Sequence, residues 1–545
     1  MLRCRWVLAF LFPLLLAIPA AAQDTTPAAV VRFRSIDAAI EGARMLAKLA
    51  LEGDEKAADD LFRQVEGELK SKVGIKAVEG IDRTRPLGAY LRLGKEIDDV
   101  SGALLIPVDD EKKFLALIEG FPVTVNAFGG GVYTISNPSP IEFYLKFANK
   151  YAYITAMNKN SLDNMVDPAK VLGTAKDGPL FHASGRFDQV PETARQLVLA
   201  AVEDKLQEEA NKNQPNETPA SKELRVAILR QMTQGMKSLL NEGQEASLKV
   251  DIDPTNKKVK IESSLTGKTG TDLAKTIQGA AEKKSGFASL GNNDPAVRGS
   301  LNMMVPDSVR KAFNKVIDEA ATKSLESISD APKKKQAQEL FDALSPTLRS
   351  GEVDLFGSLM GPGADKKYVV LAGTKVEKGK HLQETLLKLL DELLAQAPDQ
   401  VKALIKLNID ESNGTKIHRF DIPAMGGDQE KLERIVGALQ LSIAIREDAA
   451  FIALGSGGQD ALKEALKAKG TVVTPLSTFE VNIGKLFAGI EGDLTEAARE
   501  RILRIAKEAG NPPVRITLEG GSSLRGAMDV PFAVIQALSP KAVKK

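Results

Sequence analysis

Two stretches of this chain alternate apolar and polar residues on both sides of a tight turn. In ASLKVDIDPTNKKVKIESSL, the apolar side chains fall on alternate residues around a Pro-Thr-Asn turn: Leu248, Val250, Ile252, Val259 and Ile261. The second stretch, ALIKLNIDESNGTKIHRFDIP, turns at Asn413-Gly414, a pair that tolerates the positive φ angles of a type I′ turn. This period of two predicts antiparallel neighbouring strands with one buried face.

Other stretches place apolar residues at helical spacing, and we expect them to form long amphipathic helices. They are Pro191–Glu209, Ser221–Leu240, Asp307–Ser327, Lys333–Leu344, Leu382–Gln396 and Thr495–Ala509. The stripe of the fifth helix is Leu386, Leu389, Leu390, Leu393 and Leu394. Such a stripe normally packs on a sheet, which predicts an α+β fold. A membrane-lying helix is the alternative, and the mixed charges of the polar faces disfavour it.

The chain repeats its own layout. VSGALLIPVDDEKKFLALIEGF and YVVLAGTKVEKGKHLQETLLKLL each read as an apolar strand, a charged turn and a helix. Gly102 and Val369 have the same separation as Ala28 and Pro295, so one alignment relates two pairs of segments. Internal self-similarity of this kind predicts a duplicated architecture.

A second pair of segments supports the repeat. KFANKYAYITAMNKNSLDNM and IREDAAFIALGSGGQDALKEALK both read as strand, tight turn, strand, polar turn and helix. Ala152 and Ala450 have the same separation as Phe181 and Phe479. The motif resembles one found in exported bacterial proteins of unknown function. That resemblance implies an exported class and a duplication, and it transfers no catalytic residues.

We therefore predict two tandem homologous halves, 25–280 and 295–540, joined by a linker at 281–294. Each half is expected to be an antiparallel β-meander sheet packed by long amphipathic helices.

The N-terminus reads as a secretory signal peptide. Arg3 and Arg5 form a basic region, Val7–Ile18 is apolar, and Ala20 and Ala22 form an A-x-A cleavage site. We expect residues 1–22 to be removed. The alternative is a membrane anchor, but the apolar run is short of the ~20 residues that a spanning helix needs, and a proline interrupts it. The sequence predicts no transmembrane anchor after cleavage, and a location in the periplasm or at the cell surface.

Composition restricts the chemistry of the exported chain. The only cysteine, Cys4, and the only tryptophan, Trp6, lie in the signal segment. Without them the chain has no disulfide and no thiolate metal site. The net charge of the full chain is +1, and loss of Arg3 and Arg5 leaves it near neutrality, so we expect no nucleic-acid partner.

Three glycine-containing segments resemble nucleotide loops, and each departs from the motif. GTKVEKGKH has one residue too many between Gly373 and Gly379. LTGKTGTD contains Gly267-Lys268-Thr269, which matches the last three residues of a phosphate loop, but it lacks the first glycine of that motif. LGSGGQDAL, with Gly455, Gly457 and Gly458, has Asp460 where a third motif glycine belongs, and we expect Asp460 to cap a helix. We predict no cofactor.

Metal and catalytic candidates are also weak. Asp251, Asp253, Thr255 and Glu262 occupy ligand positions of a calcium loop, but Asn256 replaces its glycine and the apolar alternation of a strand continues through it. The histidines stand alone in sequence: His182, His381 and His418. We assign no catalytic residue and no metal. A hydrolase would need residues of both halves to converge.

Four tyrosines fall in one short stretch of a chain poor in aromatic residues: Tyr133, Tyr144, Tyr151 and Tyr153. They predict either a sheet core with hydroxyls at its rim or a recognition patch for a peptide, a polymer or a partner protein.

The sequence therefore predicts an exported, non-enzymatic binding or scaffold protein of the bacterial envelope. Its partner would be an envelope protein, a polymer or an apolar ligand. An extracytoplasmic hydrolase with a site at the domain junction and a carrier of a lipid-like molecule are the alternatives. An apolar groove under the helices would favour the carrier.

Overall fold

The chain divides into two units in the computed structural model. This structure describes residues 26–51, 56, 59–60, 62–64, 79–94, 100–136, 141–156, 159–176, 178–291, 295–423, 426–468, 471–489 and 494–539. The first unit comprises Met1–Val202, Met236–Lys275 and Asp529–Lys541, and the second Glu203–Gly235, Thr276–Met528 and Ala542–Lys545. The predicted half boundaries and the linker remain predictions.

The sheet of the first unit is antiparallel. Its strands are β1 (Ala29–Phe33), β2 (Leu87–Arg92), β3 (Ser101–Pro107), β4 (Thr124–Gly129), β5 (Val132–Ser136), β6 (Phe143–Ala148), β7 (Tyr151–Thr155), β8 (Phe181–Arg186), β9 (Gly243–Asp253) and β10 (Lys258–Gly267). They pair in the order β4-β5-β6-β7-β3-β2-β1-β8-β9-β10.

The second unit also contains an antiparallel sheet. The remaining strands are β11 (Lys284–Ser285), β12 (Val297–Met304), β13 (Glu352–Met360), β14 (Val369–Lys375), β15 (Ile405–Ser412), β16 (Thr415–Asp421), β17 (Gln440–Arg446), β18 (Ala449–Leu454), β19 (Val472–Val473), β20 (Ser477–Val481), β21 (Val514–Glu519) and β22 (Leu524–Pro531). Nine of them pair in the order β15-β16-β17-β18-β14-β13-β12-β20-β21, and β11 pairs separately with β19.

Both predicted hairpins are confirmed as antiparallel strand pairs, but the buried face predicted for the first is wrong, since Leu248 is 41% exposed and Val250, Ile252, Val259 and Ile261 are half-buried. Val250 lies opposite Ile261 between β9 and β10. Ser412 lies opposite Thr415 between β15 and β16, and the intervening Asn413 and Gly414 have φ angles of 50° and 75°. Both angles are positive, as a type I′ turn requires.

The long helices begin and end close to the predicted residues, except that the helix predicted at Lys333–Leu344 extends from Ala331 to Ser350. The helices are α1 (Ile36–Ala50), α2 (Glu111–Glu119), α3 (Pro168–Leu172), α4 (Glu192–Asn211), α5 (Pro219–Glu242), α6 (Asp272–Ala280), α7 (Asp307–Glu326), α8 (Ala331–Ser350), α9 (Gly379–Gln396), α10 (Asp399–Lys402), α11 (Asp428–Val436), α12 (Gly458–Lys467), α13 (Ile483–Gly489), α14 (Glu496–Glu508) and α15 (Phe532–Ala537). The stripe predicted for α9 was wrong at Leu393, which is 58% exposed, because the packed face runs through Leu382, Thr385 and Leu389.

Helices cover both faces of the second unit's sheet. On one face, hereafter the α12 face, Leu462 and Leu466 of α12 pack with Phe356, Ile417 and Phe451. On the other, hereafter the α9 face, Leu382 of α9 and Ala343 of α8 pack against Ile445 of β17. The α9 face is covered at β17 and is open farther along the sheet, where its large apolar side chains remain exposed.

A close contact between two strands and one loop closes the core on the α12 face. The Phe287 ring packs edge-on against Phe451, with ring centroids 5.7 Å apart. Gly373 of β14 lies beneath both rings, and a Cβ at this position would stand 3.0 Å from each. A side chain at residue 373 therefore competes with the aromatic pair for space.

Gly373→Ala is expected to lower the free energy of unfolding by about 1–3 kcal/mol, because both rings must shift. The control is Gly357→Ala on the neighbouring strand β13, where a new Cβ would meet nothing within 4 Å. That variant should be neutral or gain up to about 1 kcal/mol from a less flexible unfolded chain. Urea titration compares the two, and equal stabilities would contradict this account of the core.

Candidate functional site

An apolar groove of about 650 Å³ lies on the α9 face of the second unit's sheet. Its floor follows one row of cross-strand neighbours, in which Gly299 of β12 lies opposite Gly357 of β13, and Gly357 lies opposite Ala372 of β14. The same row continues to Phe479 of β20 at one end and to Ile452 of β18 at the other. Three small residues between two large ones produce a trough across the strands.

The walls of the groove are exposed apolar side chains. Phe479 is 45% exposed, Ile452 46% and Leu355 41%. Leu301 lies opposite Leu355 in the adjacent row. Strand backbone groups in the lining are engaged in the sheet, so the groove offers a ligand apolar contact and few hydrogen bonds. Its volume falls in the range of ~300–1,000 Å³ that is usual for small-molecule sites.

A second cavity, of about 350 Å³, lies on the α12 face of the same strands and is polar. Because successive residues of a strand point to opposite faces, Arg298 and Asn302 of β12 line only this pocket and Gly299 and Leu301 line only the groove, while Ser300 of β12 and Thr478 of β20 belong to both linings. We call this second cavity the polar pocket. Other strands add Asp354, Thr478, Glu480, Arg515 and Thr517.

Asp354 is buried at the edge of the polar pocket. Its Oδ1 accepts a hydrogen bond from the Ser285 hydroxyl at 2.7 Å, and its Oδ2 accepts one from the Gly286 N–H at 3.0 Å. Burial raises the pKa of the Asp354 carboxyl above its ordinary value, although these two bonds favour the ionised form. Ser285 and Phe287, which belong to the predicted linker, are thus buried within the second unit.

The structure divides the four tyrosines between the two faces of the first unit's sheet. Tyr151 and Tyr153 are 6% and 0% exposed and pack with Tyr144 in one cluster, while Tyr133 packs with Phe147 in another. The Tyr153 hydroxyl donates to the Val166 carbonyl at 2.7 Å. This burial favours the core interpretation for Tyr151 and Tyr153. The recognition patch remains a prediction.

The histidines occupy separate positions. His182 of β8 is in the first unit, and burial, with Lys249 and Arg32 nearby, lowers its pKa. His381 is exposed in the first turn of α9. His418 of β16 is 5% exposed, and its Nδ1 accepts from the Asn408 N–H at 3.2 Å. Among the described residues, no group of three or more His, Cys, Asp or Glu side chains could hold a metal ion.

The calcium-like segment forms the β9–β10 hairpin, and its carboxylates have other partners. Asp251 accepts from Arg34 at 2.5 Å, and Asp253 accepts from the Asn256 side chain at 2.6 Å. Glu262 lies within 2.8 Å of Lys260 on the same strand. The carboxylates of this segment therefore take part in the contacts of a strand pair and its turn.

The glycine-containing segments are strand–helix junctions. Gly373 lies in β14 and Gly379 begins α9, while Gly267 ends β10. The prediction that Asp460 caps a helix was wrong, because Gly457 is the N-cap of α12 and Asp460 lies inside its first turn. An acidic residue there still interacts favourably with the helix dipole.

Arg3, Cys4, Arg5, Trp6, Ala20 and Ala22 lie outside the described residues. No helix within the described ranges is both long and apolar enough to span a membrane.

Neither cavity is predicted by the local sequence patterns. The segment VRGSLNMM contains a pattern that points to two different strand faces. In it the polar Arg298, Ser300 and Asn302 alternate with Gly299, Leu301 and Met303. That alternation predicts a strand with one polar and one apolar face. It does not identify the strands that complete each cavity.

Comparison with protein-family models, with curated proteins and with solved structures found no match.

Tyr153→Phe is expected to lower the free energy of unfolding by about 1–3 kcal/mol, because the Val166 carbonyl and the Asn149 amide lose a buried partner. Tyr144→Phe is the control, since its hydroxyl contacts Glu142 at the surface, and a change within about 0.5 kcal/mol is expected. Urea titration measures both. Equal losses would contradict a core role specific to Tyr153.

Burial lowers the pKa of His418 below its ordinary value of 6.5, and Lys416 adds to the effect. As the pH falls below 6.5, His418 is protonated in the unfolded chain before it is protonated in the folded chain. The free energy of unfolding therefore decreases as the pH falls from 6.5 to the pKa of His418 in the folded chain. Uptake of this one proton changes the free energy of unfolding by at most about 1.4 kcal/mol per pH unit.

His418→Asn should therefore reduce the loss of unfolding free energy between about pH 7 and about pH 5. Urea titrations across this range measure the slopes, and an unchanged slope in His418→Asn contradicts the assignment.

Proposed function

We propose that this chain is an exported, non-enzymatic protein of the bacterial envelope that holds an acyl-chain-like apolar ligand in the groove. The observation that carries the proposal is the row from Phe479 through Gly299, Gly357 and Ala372 to Ile452. Its large end residues are each more than two-fifths exposed. Burying them under a ligand would remove apolar surface from water, which is worth roughly 25 cal/mol per Å².

The shape of the groove supports an acyl chain over a protein partner. The end residues stand four strand spacings of about 4.8 Å apart, and the floor between them is made of small residues. A narrow trough of this kind suits a thin, flexible apolar chain. A carboxylate or other polar head would stay at the open side, since most lining side chains on this face are apolar and only Thr374 and Ser477 of the described lining add hydroxyls there.

Export is supported by the sequence of residues 1–22. An envelope location fits the ligand class, because acyl chains are abundant there and poorly soluble in water.

The tandem duplication is part of the proposal. It is supported by the equal sequence separations of the matching segments and by the order in which strands pair within each unit. In the first unit six strands pair in the order β7-β3-β2-β1-β8-β9, and in the second the strands at the matching sequence positions pair in the order β18-β14-β13-β12-β20-β21.

Titration of the purified chain with palmitic acid tests the proposed ligand class. We expect saturable binding, and Gly357→Leu should weaken it by about tenfold or more, because the new side chain fills the trough. The variant should fold, since a Cβ at residue 357 meets nothing within 4 Å. Gly279→Leu in α6 adds the same bulk in open space and should bind normally.

Three outcomes would contradict the proposal. They are the absence of palmitic acid binding, equal binding by Gly357→Leu, and tighter binding of an amphipathic peptide than of palmitic acid at the same groove. The last result would assign the groove to a protein partner.

A further inference from the structure

The polar pocket contains a buried donor with no partner. Asn302 is 4% exposed, and its side-chain nitrogen Nδ2 has no hydrogen-bond partner among the described atoms. Asp354 is its cross-strand neighbour, but the oxygens of Asp354 accept from Ser285 and Gly286. The hydroxyl of Thr474, in the same lining, is also buried without a partner. Buried polar groups are rarely left unpaired, so each points to an acceptor that the protein itself does not supply.

We propose that the polar pocket binds a small, neutral, polyhydroxylated ligand of monosaccharide size. This site is separate from the apolar groove, because it lies on the opposite face of the same strands. The proposal does not depend on the function proposed for the groove.

Charge balance in the lining favours a neutral ligand. The lining contains two basic residues, Arg298 and Arg515, and two acidic ones, Glu480 and Asp354, so basic and acidic side chains are equal in number. Glu480 already accepts from the Arg515 Nε at 2.7 Å. A ligand with a full charge would bring an unbalanced charge into a partly desolvated site, which is costly. A neutral ligand avoids that cost.

Hydrogen-bonding capacity favours hydroxyl groups. The residues of the lining include Asn302 with its unpaired Nδ2, the hydroxyl-bearing Ser300, Thr478 and Thr517, and the acidic Asp354 and Glu480. A hydroxyl both donates and accepts, so a polyhydroxylated ring can pair with such a mixed set. The volume of about 350 Å³ accommodates one ring of that size.

Stacking of a flat base is disfavoured. Phe287 is the aromatic residue of the lining, and it is 2% exposed because it packs against Phe451. Base recognition relies on stacking with an accessible ring. Recognition here depends on hydrogen bonds.

Ligand-observed NMR on the purified chain tests the inference with glucose, N-acetylglucosamine and myo-inositol as neutral probes. Acetate and ethanolamine serve as charged probes. We expect at least one neutral probe to bind, and neither charged probe to bind more tightly. Absence of binding by all three neutral probes would mean that the pocket holds only water and would overturn the proposal. A charged probe that binds more tightly than every neutral probe would also overturn it.

Two substitutions locate the site. Asn302→Leu keeps the side-chain size and removes the unpaired donor, and we expect the affinity for the neutral probe to fall about tenfold or more. Thr517→Val removes one hydroxyl of the lining and should weaken binding severalfold, which keeps the test valid if Asn302→Leu does not fold. Met303→Ala is the control, because Met303 follows Asn302 on the opposite face of β12.

Unchanged affinity in both Asn302→Leu and Thr517→Val would overturn the proposed site. Palmitic acid binding keeps the two proposals distinguishable. If the chain does not bind palmitic acid, the groove proposal fails, and the polar pocket is still tested by the neutral probes. A folded Asn302→Leu that binds palmitic acid and loses the neutral probe supports the inference directly.

Discussion

The pleat of β12 is the constraint on which both cavities depend. Successive residues from Arg298 to Asn302 point alternately to the α12 face and to the α9 face. One strand therefore supplies the small floor of an apolar trough and the polar lining of a second pocket. A shift of register by one residue would exchange the two faces and would place Arg298 in the trough. Pairing with β13 and β20 along both edges of β12 holds the register.

Asp354 joins the polar pocket to the hydrophobic core. Its carboxyl holds Ser285 and Gly286, and the Ser285 hydroxyl also accepts from the Phe287 N–H at 3.0 Å. That arrangement places the Phe287 ring against Phe451. Burying a carboxyl is costly, and the hydrogen bonds offset part of that cost. A polar residue thus determines where an aromatic core residue lies.

Local patterns predicted much of the fold, because they depend on neighbours in sequence. The alternation around Asn413-Gly414 and the helical spacing in Asp307–Ser327 act over short distances, and the structure has both elements. The groove depends on register between distant strands. Phe479 reaches Gly299 only through pairing of β20 with β12, and nothing local in either strand specifies that partner. Burial of Asp354 likewise depends on a loop far from it in sequence.

The placement of the tyrosines has an optical consequence. Five of the six tyrosines, Tyr90, Tyr133, Tyr144, Tyr151 and Tyr153, belong to the first unit, and only Tyr368 belongs to the second. The sole tryptophan, Trp6, belongs to the segment predicted to be removed on export. Tyrosine emission from a chain without residues 1–22 would therefore come mainly from the first unit. Unfolding followed by that emission and by backbone circular dichroism would separate the stability of the two units without any label.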